Sequence, residues 1–193
     1  MDMSCTKELP EGYIEIKRLN LQDDKKTMLI VNVLAVVLYI VLFAIAFIIR
    51  PFDMDLIVID LIISLLTCVA MIVYMVLHEL THGVVMKYYG GQKVKYGFTG
   101  LYAYAGSSED YFGTKAYITI ALAPFVLWTV FFTILLILFH GTLYWPLVFL
   151  QVTNIGGCAG DLYVSYLVSK YKEEIYIKDT GIDVTFYGER NEK

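Results

Sequence analysis

The stretch "YMVLHELTHGVV", Tyr74–Val85, places two histidines and a glutamate in a segment that is otherwise almost entirely apolar. An ionisable side chain inside a membrane-length apolar helix costs roughly 3 kcal/mol or more unless it has a partner. His78 and His82 are four residues apart, and on a helix this spacing puts both imidazoles on one face. The stretch therefore predicts a helix whose polar face meets partner groups from elsewhere in the chain.

The composition is that of a membrane protein. Of the 193 residues, 58% are hydrophobic and only 18% are charged, which is unusual for a soluble domain. Apolar runs cover about 28–49, 56–77, 116–139 and 144–168, and the second continues as a helix to about residue 88. Each run is long enough to cross a hydrocarbon core of about 30 Å. We predict an all-α polytopic membrane protein, with four transmembrane helices in a single domain of residues 1–193.

The basic residues predict the orientation of the chain in the membrane. Lysines and arginines are frequent in 1–27, around 89–115 and in 169–193, whereas the first short loop holds only Arg50 and the third loop holds none. Basic loops stay on the cytoplasmic side, so we expect both termini and the second loop in the cytoplasm. The chain has no dense basic patch, which argues against a nucleic-acid partner and leaves the lipid bilayer as the expected surroundings.

The polar segments carry strand signals. In "KVKYGFTGLYAYAG" the aromatic-rich runs Val94–Phe98 and Leu101–Ala105 flank Thr99-Gly100, and in "EIYIKDTGIDVTFYG" two runs flank Asp179-Thr180-Gly181. Gly12–Ile16 is a further candidate strand. These patterns predict small cytoplasmic β-hairpins. One interpretation is a cap whose tyrosines lie at the headgroup level, and the other is an exposed edge that holds an unfolded substrate by strand addition.

The residues from His78 to His82 form the motif HExxH. In zinc hydrolases with this motif the two histidines bind Zn²⁺, and the glutamate, here Glu79, takes a proton from the attacking water. The motif is short, and an ordinary exposed helix is the alternative. Two of the three histidines of the chain fall in this motif, inside a membrane span, and both facts favour a metal site. The third, His140, is predicted to be an interfacial residue.

A catalytic zinc site requires a third protein ligand. Asp161 is the one charged residue in the fourth apolar run, and it lies about nine residues, roughly 13 Å, from the cytoplasmic end, as His78 does. Asp60 precedes His78 by eighteen residues, about 27 Å, and is predicted to be interfacial. Cys158 is an alternative ligand, although free thiols are also ordinary apolar fillers. We predict one Zn²⁺ per chain, bound by His78, His82 and Asp161.

Two further residues are candidates for substrate binding. The amide of Asn154 lies two helical turns before Asp161 on the same face and could bind a substrate backbone or an oxyanion. Pro124 removes one helical hydrogen bond and frees the carbonyl of Ile120. The resulting kink could open a water path or a substrate groove, and a plain bend is the alternative.

These motifs together resemble a known group of proteins. HELTH on one membrane helix, with Asn154 to Asp161 on a later one, resembles the site-2 protease type of intramembrane zinc metalloprotease. With "GGCAGDLY" in the fourth run, the chain is similar over roughly its whole length to the bacterial membrane proteins called the putative zincin peptidase family. The resemblance implies a bacterial cell-membrane location, His78, His82 and Asp161 as zinc ligands, and Glu79 for catalysis.

Two functions follow as hypotheses. The first is an intramembrane zinc metalloendopeptidase that hydrolyses peptide bonds of membrane-spanning or membrane-adjacent substrates near the cytoplasmic face. The alternative is a non-hydrolytic zinc-binding adaptor or interaction protein that keeps the protease fold. Glu79 favours the first, because an adaptor has no need of a general base. The pattern predicts neither a particular substrate nor an oligomeric state.

Overall fold

The fold is taken from a computed structural model that describes residues 5–20, 23–51, 61–100, 102–139 and 141–190. Asp60 and His140, both expected at an interface, lie outside these residues, as does the start of the second predicted span.

The helices of the described residues are α1 (Lys25–Ile49), α2 (Leu61–Tyr88), α3 (Thr114–Leu138), α4 (Tyr144–Gly157) and α5 (Ala159–Ser169). Four helical segments are long and apolar enough to cross a membrane, if α4 and α5 are counted as one. The predicted four spans are thereby confirmed. At the start of α1 the Asp24 side chain accepts hydrogen bonds from the N–H groups of Lys26 and Thr27, which caps the helix.

The outer surfaces of the helices are apolar. Ile40 on α1, Leu65 on α2 and Ile137 on α3 each expose more than 60% of their surface. Apolar surface on this scale is unfavourable in water and is solvated by lipid tails in a bilayer. The helix surfaces are therefore those of a multi-pass membrane protein.

The fourth predicted span, 144–168, is not one continuous helix. It breaks at Cys158, between α4 and α5. Gly156 and Gly157 come directly before the break, and each glycine weakens a helix by about 1 kcal/mol relative to alanine. The break places Asp161 in the first turn of α5.

Within the described residues, the polar segments contain seven strands: β1 (Cys5–Thr6), β2 (Tyr13–Asn20), β3 (Val94–Phe98), β4 (Ala103–Ser107), β5 (Tyr111–Gly113), β6 (Tyr176–Asp179) and β7 (Asp183–Glu189). Both predicted hairpins are present, as β3–β4 and β6–β7. Five strands from three distant segments form one antiparallel sheet in the order β1-β5-β6-β7-β2. The prediction of an all-α protein with separate small hairpins is corrected accordingly, since only β3–β4 stays a separate pair.

The five-stranded sheet packs on one end of the helix bundle. Phe112, Ile177 and Phe186 of the sheet are fully buried, and they share a core with Met86 of α2 and Val168 of α5. The three polar segments therefore meet in one layer at one end of the bundle, as the charge pattern requires. That this end faces the cytoplasm stays a prediction.

The contact between α1 and α4 depends on Gly156. A Cβ atom at this position would overlap the ring of Tyr39 on α1. Tyr39 also packs beside the buried cluster that joins α1 to α4. A small residue at position 156 therefore lets the two helices approach closely.

We predict that Gly156→Ala lowers the midpoint of thermal unfolding in detergent, because the added methyl group forces the Tyr39 ring to move, at a cost of about 1–3 kcal/mol. Gly157→Ala is the matched control, since a Cβ there meets no atom within 4 Å. A thermal midpoint unchanged by Gly156→Ala, or lowered equally by both substitutions, would show that the Tyr39 contact does not limit the packing of α1.

Candidate metal centre

The three predicted metal ligands converge in the structure. His78 and His82 lie one turn apart on α2, with 3.2 Å between their Nε2 atoms. Asp161 on α5 reaches both rings, with Oδ2 3.5 Å from Nε2 of His78 and Oδ1 3.5 Å from Nε2 of His82. Both histidines are less than a tenth exposed. The break between α4 and α5 thus brings the carboxylate of the fourth span against the histidine face of the second.

The spacing of these ligand atoms fits a zinc ion. With bonds of about 2.0–2.1 Å in tetrahedral geometry, neighbouring ligand atoms lie roughly 3.3 Å apart. The separations of 3.2 and 3.5 Å agree with that value. Two imidazoles and one carboxylate are also the ligand set of known catalytic zinc sites.

Hydrogen bonds on the far side of each imidazole set its tautomer. Nδ1 of His82 donates to the carbonyl oxygen of Ile120 at 2.9 Å. The Tyr74 hydroxyl donates to Oδ1 of Asn154 at 2.8 Å, so its oxygen is left to accept from Nδ1 of His78, 3.0 Å away. With both Nδ1 atoms protonated, both Nε2 atoms carry lone pairs that point toward Asp161.

The result is a set of electron pairs that repel one another. When both imidazoles are neutral, the hydrogen bonds behind the rings hold their N–H groups at Nδ1, so that two Nε2 lone pairs and a carboxylate face a common point. A divalent cation at that point turns the repulsion into attraction and neutralises the aspartate. The donor chemistry therefore fits the zinc ion that the sequence predicts.

Pro124 supports this arrangement from α3. A proline inside a helix has no N–H to offer the carbonyl four residues earlier, which here belongs to Ile120. That freed carbonyl is the acceptor for His82. The Pro124 side chain is fully buried. The geometry therefore assigns Pro124 to the orientation of His82, and the substrate groove expected beside it stays a prediction.

Asn154 also lies behind the ligands. Its side chain is completely buried, its Oδ1 accepts from Tyr74, and its Nδ2 donates to Oγ1 of Thr129 at 2.9 Å. Both ends of the amide are thus engaged within the protein. This arrangement makes Asn154 a residue that orients His78 through Tyr74, and the contact with substrate expected from the sequence stays a prediction.

Glu79 faces a cavity of about 1030 Å³ beside the ligands. The backbone N–H of Ala105 on β4 lies near its carboxylate and favours the charged form. The β3–β4 hairpin approaches α2 closely because Gly83 has no side chain; a Cβ there would overlap the Tyr96 hydroxyl of β3. The glycine that follows the HExxH motif therefore allows the hairpin to reach the glutamate within it.

Cys158 is the other candidate ligand. It is fully buried at the helix break, and its sulfur lies within 4.8 Å of ligand atoms of both His78 and Asp161. A thiolate there would compete with the Asp161 carboxylate for the metal.

The structure adds residues that the sequence analysis missed. Tyr74 lies four residues before His78, so helical spacing could have identified it. Asp179, at the end of β6, lines the same cavity, accepts from the Tyr117 hydroxyl and the Gly181 N–H at 2.8 Å each, and has its pKa raised by burial. No local signal marks Asp179, because it reaches the site only when the sheet closes over the helix ends.

We predict that Asp161→Ala lowers the affinity for zinc by roughly 100-fold or more, because even partners outside the ligand set contribute about 10–100-fold. Cys158→Ala should leave the affinity nearly unchanged. Zinc per chain is measured by elemental analysis of both variants, purified in detergent. Retention of zinc by the Asp161 variant together with its loss from the Cys158 variant would identify the thiol as the ligand.

We also predict that Pro124→Ala weakens zinc binding by about tenfold, since the new N–H competes with His82 for the Ile120 carbonyl. Pro146→Ala is the matched control, because Pro146 lies in the first turn of α4, where the N–H groups have no partner within the helix. The affinity is measured by competition with a zinc-binding dye. Equal affinities in the two variants would contradict the assigned role of Pro124.

Comparison with known proteins identifies the family. Residues 71–176, more than half of the chain, match the family described as "putative zincin peptidase". No curated protein and no solved structure matches the chain. The matched range begins just before Tyr74 and includes the HExxH motif, Pro124 and Asp161, so it contains all of the converging ligands. The chain therefore belongs to the putative zincin peptidase family.

Proposed function

We propose that this protein is an intramembrane zinc metalloendopeptidase of the site-2 protease type, which hydrolyses peptide bonds of membrane-spanning or membrane-adjacent proteins. The observation that carries the proposal is the convergence of His78, His82 and Asp161 beside Glu79, on helices with lipid-facing surfaces. Family membership supports metallopeptidase chemistry.

Each residue has a separate part in the reaction. His78, His82 and Asp161 hold the zinc ion, which when bound activates a water molecule and polarises the substrate carbonyl. Glu79 accepts a proton from the attacking water and delivers it to the leaving amine. The nearby N–H of Ala105 stabilises the Glu79 carboxylate, and the bonds behind the imidazoles keep their lone pairs directed at the metal position.

The edge of β4 offers a place for an extended substrate. Residues of an antiparallel strand direct their backbone groups alternately toward the partner strand and away from it. Because the N–H of Ala105 points to Glu79, the backbone of Ala103, two residues earlier, points the same way. Ala103 and Ala105 both line the cavity. A peptide added along this edge would pass beside the general base, which favours strand addition over a purely structural cap.

The location of the cavity supports the substrate class. It lies between membrane-spanning helices and beneath the sheet layer, so a segment that reaches Glu79 comes from the membrane or from its surface. The charge pattern supports a cytoplasmic location for that end and for both termini, and the family resemblance supports a bacterial cell membrane. A non-hydrolytic adaptor is the less favoured function, since it needs neither the positioned Glu79 nor the open cavity.

We predict that Glu79→Gln keeps zinc and lowers turnover by about 10²–10⁴-fold. Glutamine preserves an acceptor for the Ala105 N–H but cannot take a proton. Cleavage is measured with a quenched-fluorescent membrane peptide, with and without chelator, and zinc by elemental analysis. Glu109→Gln is the control, because Glu109 is a solvent-exposed carboxylate in the turn between β4 and β5, paired with Lys93.

Two results would contradict this proposal. Full activity of the Glu79 variant would mean that another group activates the water. A parent protein that contains no zinc and is indifferent to chelator would exclude the metallopeptidase.

A further inference from the structure

The cavity extends from the metal centre to the space between α1 and α2. Helix α1 packs on α4 and α5, and α2 packs on α3. On the α1 side, the cavity is lined by Met28, Val31, Asn32 and Tyr39. On the facing side, α2 contributes Met71, Ile72, Tyr74, Met75, His78 and Glu79. An apolar passage between these two helices therefore leads to Glu79.

Asn32 is an unusual residue in this passage. Its side chain is exposed, lines the cavity, and makes no hydrogen bond to any other residue in the described part of the chain. Its neighbours Val31 and Val33 are apolar, as is nearly all of α1. A carboxamide without a partner at this position in a membrane span is unfavourable, which makes it a candidate for function.

Asn32 lies at the depth of the metal centre. It is seven residues, about 10 Å, from the start of α1 at Lys25, and His82 is six residues, about 9 Å, from the end of α2 at Tyr88. Both of these helix ends adjoin the sheet layer, so the two distances are measured from the same side. Asn32 therefore faces the metal centre across the cavity rather than lying above or below it.

The chemistry of the carboxamide matches a peptide bond. A carboxamide has a carbonyl acceptor and two N–H donors, so one side chain can pair with both groups of a peptide unit. A substrate segment that is extended for cleavage has lost its own helical hydrogen bonds, and its backbone groups need partners at a depth where water is scarce. The β4 edge supplies partners on one side of the cavity, and Asn32 supplies them on the other.

We propose that Asn32 is a substrate-binding residue whose carboxamide hydrogen-bonds one peptide unit of an apolar substrate segment that enters between α1 and α2. This proposal rests on the proposed peptidase function. It assigns substrate entry to the α1 side of the cavity, because Pro124, on the opposite side, is buried behind His82.

The test uses Asn32→Leu, which keeps the size of the side chain and removes its hydrogen bonds. Val33→Leu is the matched control, since Val33 is exposed on the same helix and does not line the cavity. The probe is a quenched-fluorescent apolar peptide in nanodiscs. We expect Asn32→Leu to raise KM about three- to tenfold, the effect of one net hydrogen bond, with kcat and zinc content nearly unchanged. Val33→Leu should change neither constant.

A second measurement identifies the bond itself. A series of peptides, each with one backbone amide replaced by an ester, loses one N–H at a time. At one position the ester should weaken binding to the protein that keeps Asn32 but not to the Asn32→Leu variant. The reason is that the ester removes the peptide N–H and the substitution removes its acceptor, so that either change alone breaks the same hydrogen bond. All binding is measured on the zinc-loaded Glu79→Gln protein, so that it does not depend on turnover.

The outcomes separate the two proposals. Equal KM values for Asn32→Leu and the parent, or ester effects that add independently at every position, would overturn the role of Asn32 while the peptidase stands. Peptides that bind the Glu79 variant with the expected dependence on Asn32, but are never cleaved by the parent, would overturn the peptidase and leave the binding residue. A protein that neither binds nor cleaves the peptides would overturn both.

Discussion

Two imidazole lone pairs and a carboxylate, held 3.2–3.5 Å apart inside a membrane protein, form the constraint on which the remaining structure depends. Electron pairs brought this close repel one another, and in a low-dielectric interior the repulsion is weakly screened. A cation at the common point offsets this repulsion, and supports behind each ligand keep the three groups in place. The chain meets the second condition with the hydrogen bonds to Nδ1 of each histidine.

The supports and ligands come from α2, α3, α4 and α5, and each has a local cause. Helix α3 offers the Ile120 carbonyl because Pro124 cannot use it. Helix α4 offers Asn154, which reaches His78 through Tyr74. The glycines before Cys158 end α4, so that α5 starts anew with Asp161 in its first turn. Features that weaken a helix in isolation, a proline and two glycines, are thus the ones that assemble the metal centre.

Local patterns determined what could be predicted from the sequence. The spans, both hairpins and the pairing of His78 with His82 follow from residues close together in the chain, and Asp161 follows from counting depth along two helices. The five-stranded sheet does not, because it joins Cys5 to Phe112 and Tyr13 to Glu189, and no periodicity encodes such distant pairs. The approach of Asp179 to the cavity depends on that sheet. The supporting roles of Pro124 and Asn154 depend on which helix packs behind the imidazole rings of His82 and His78, and this packing has no local signal in the sequence.

The two walls of the cavity differ in how they are fixed. On the hairpin side, Gly83 admits Tyr96 against α2, and the N–H of Ala105 lies near Glu79, so that wall packs directly on the helix that carries the catalytic motif. None of the metal ligands or of the residues behind them lies on α1, which is joined to the bundle mainly through α4 and α5. Helix α1 therefore contacts the metal centre only indirectly, through α4 and α5, which carry Asn154 and Asp161. The ligands and their supports thus lie on one side of the cavity, and the wall at which the proposed substrate enters lies on the other, so that binding a large substrate makes no demand on the residues that hold the metal.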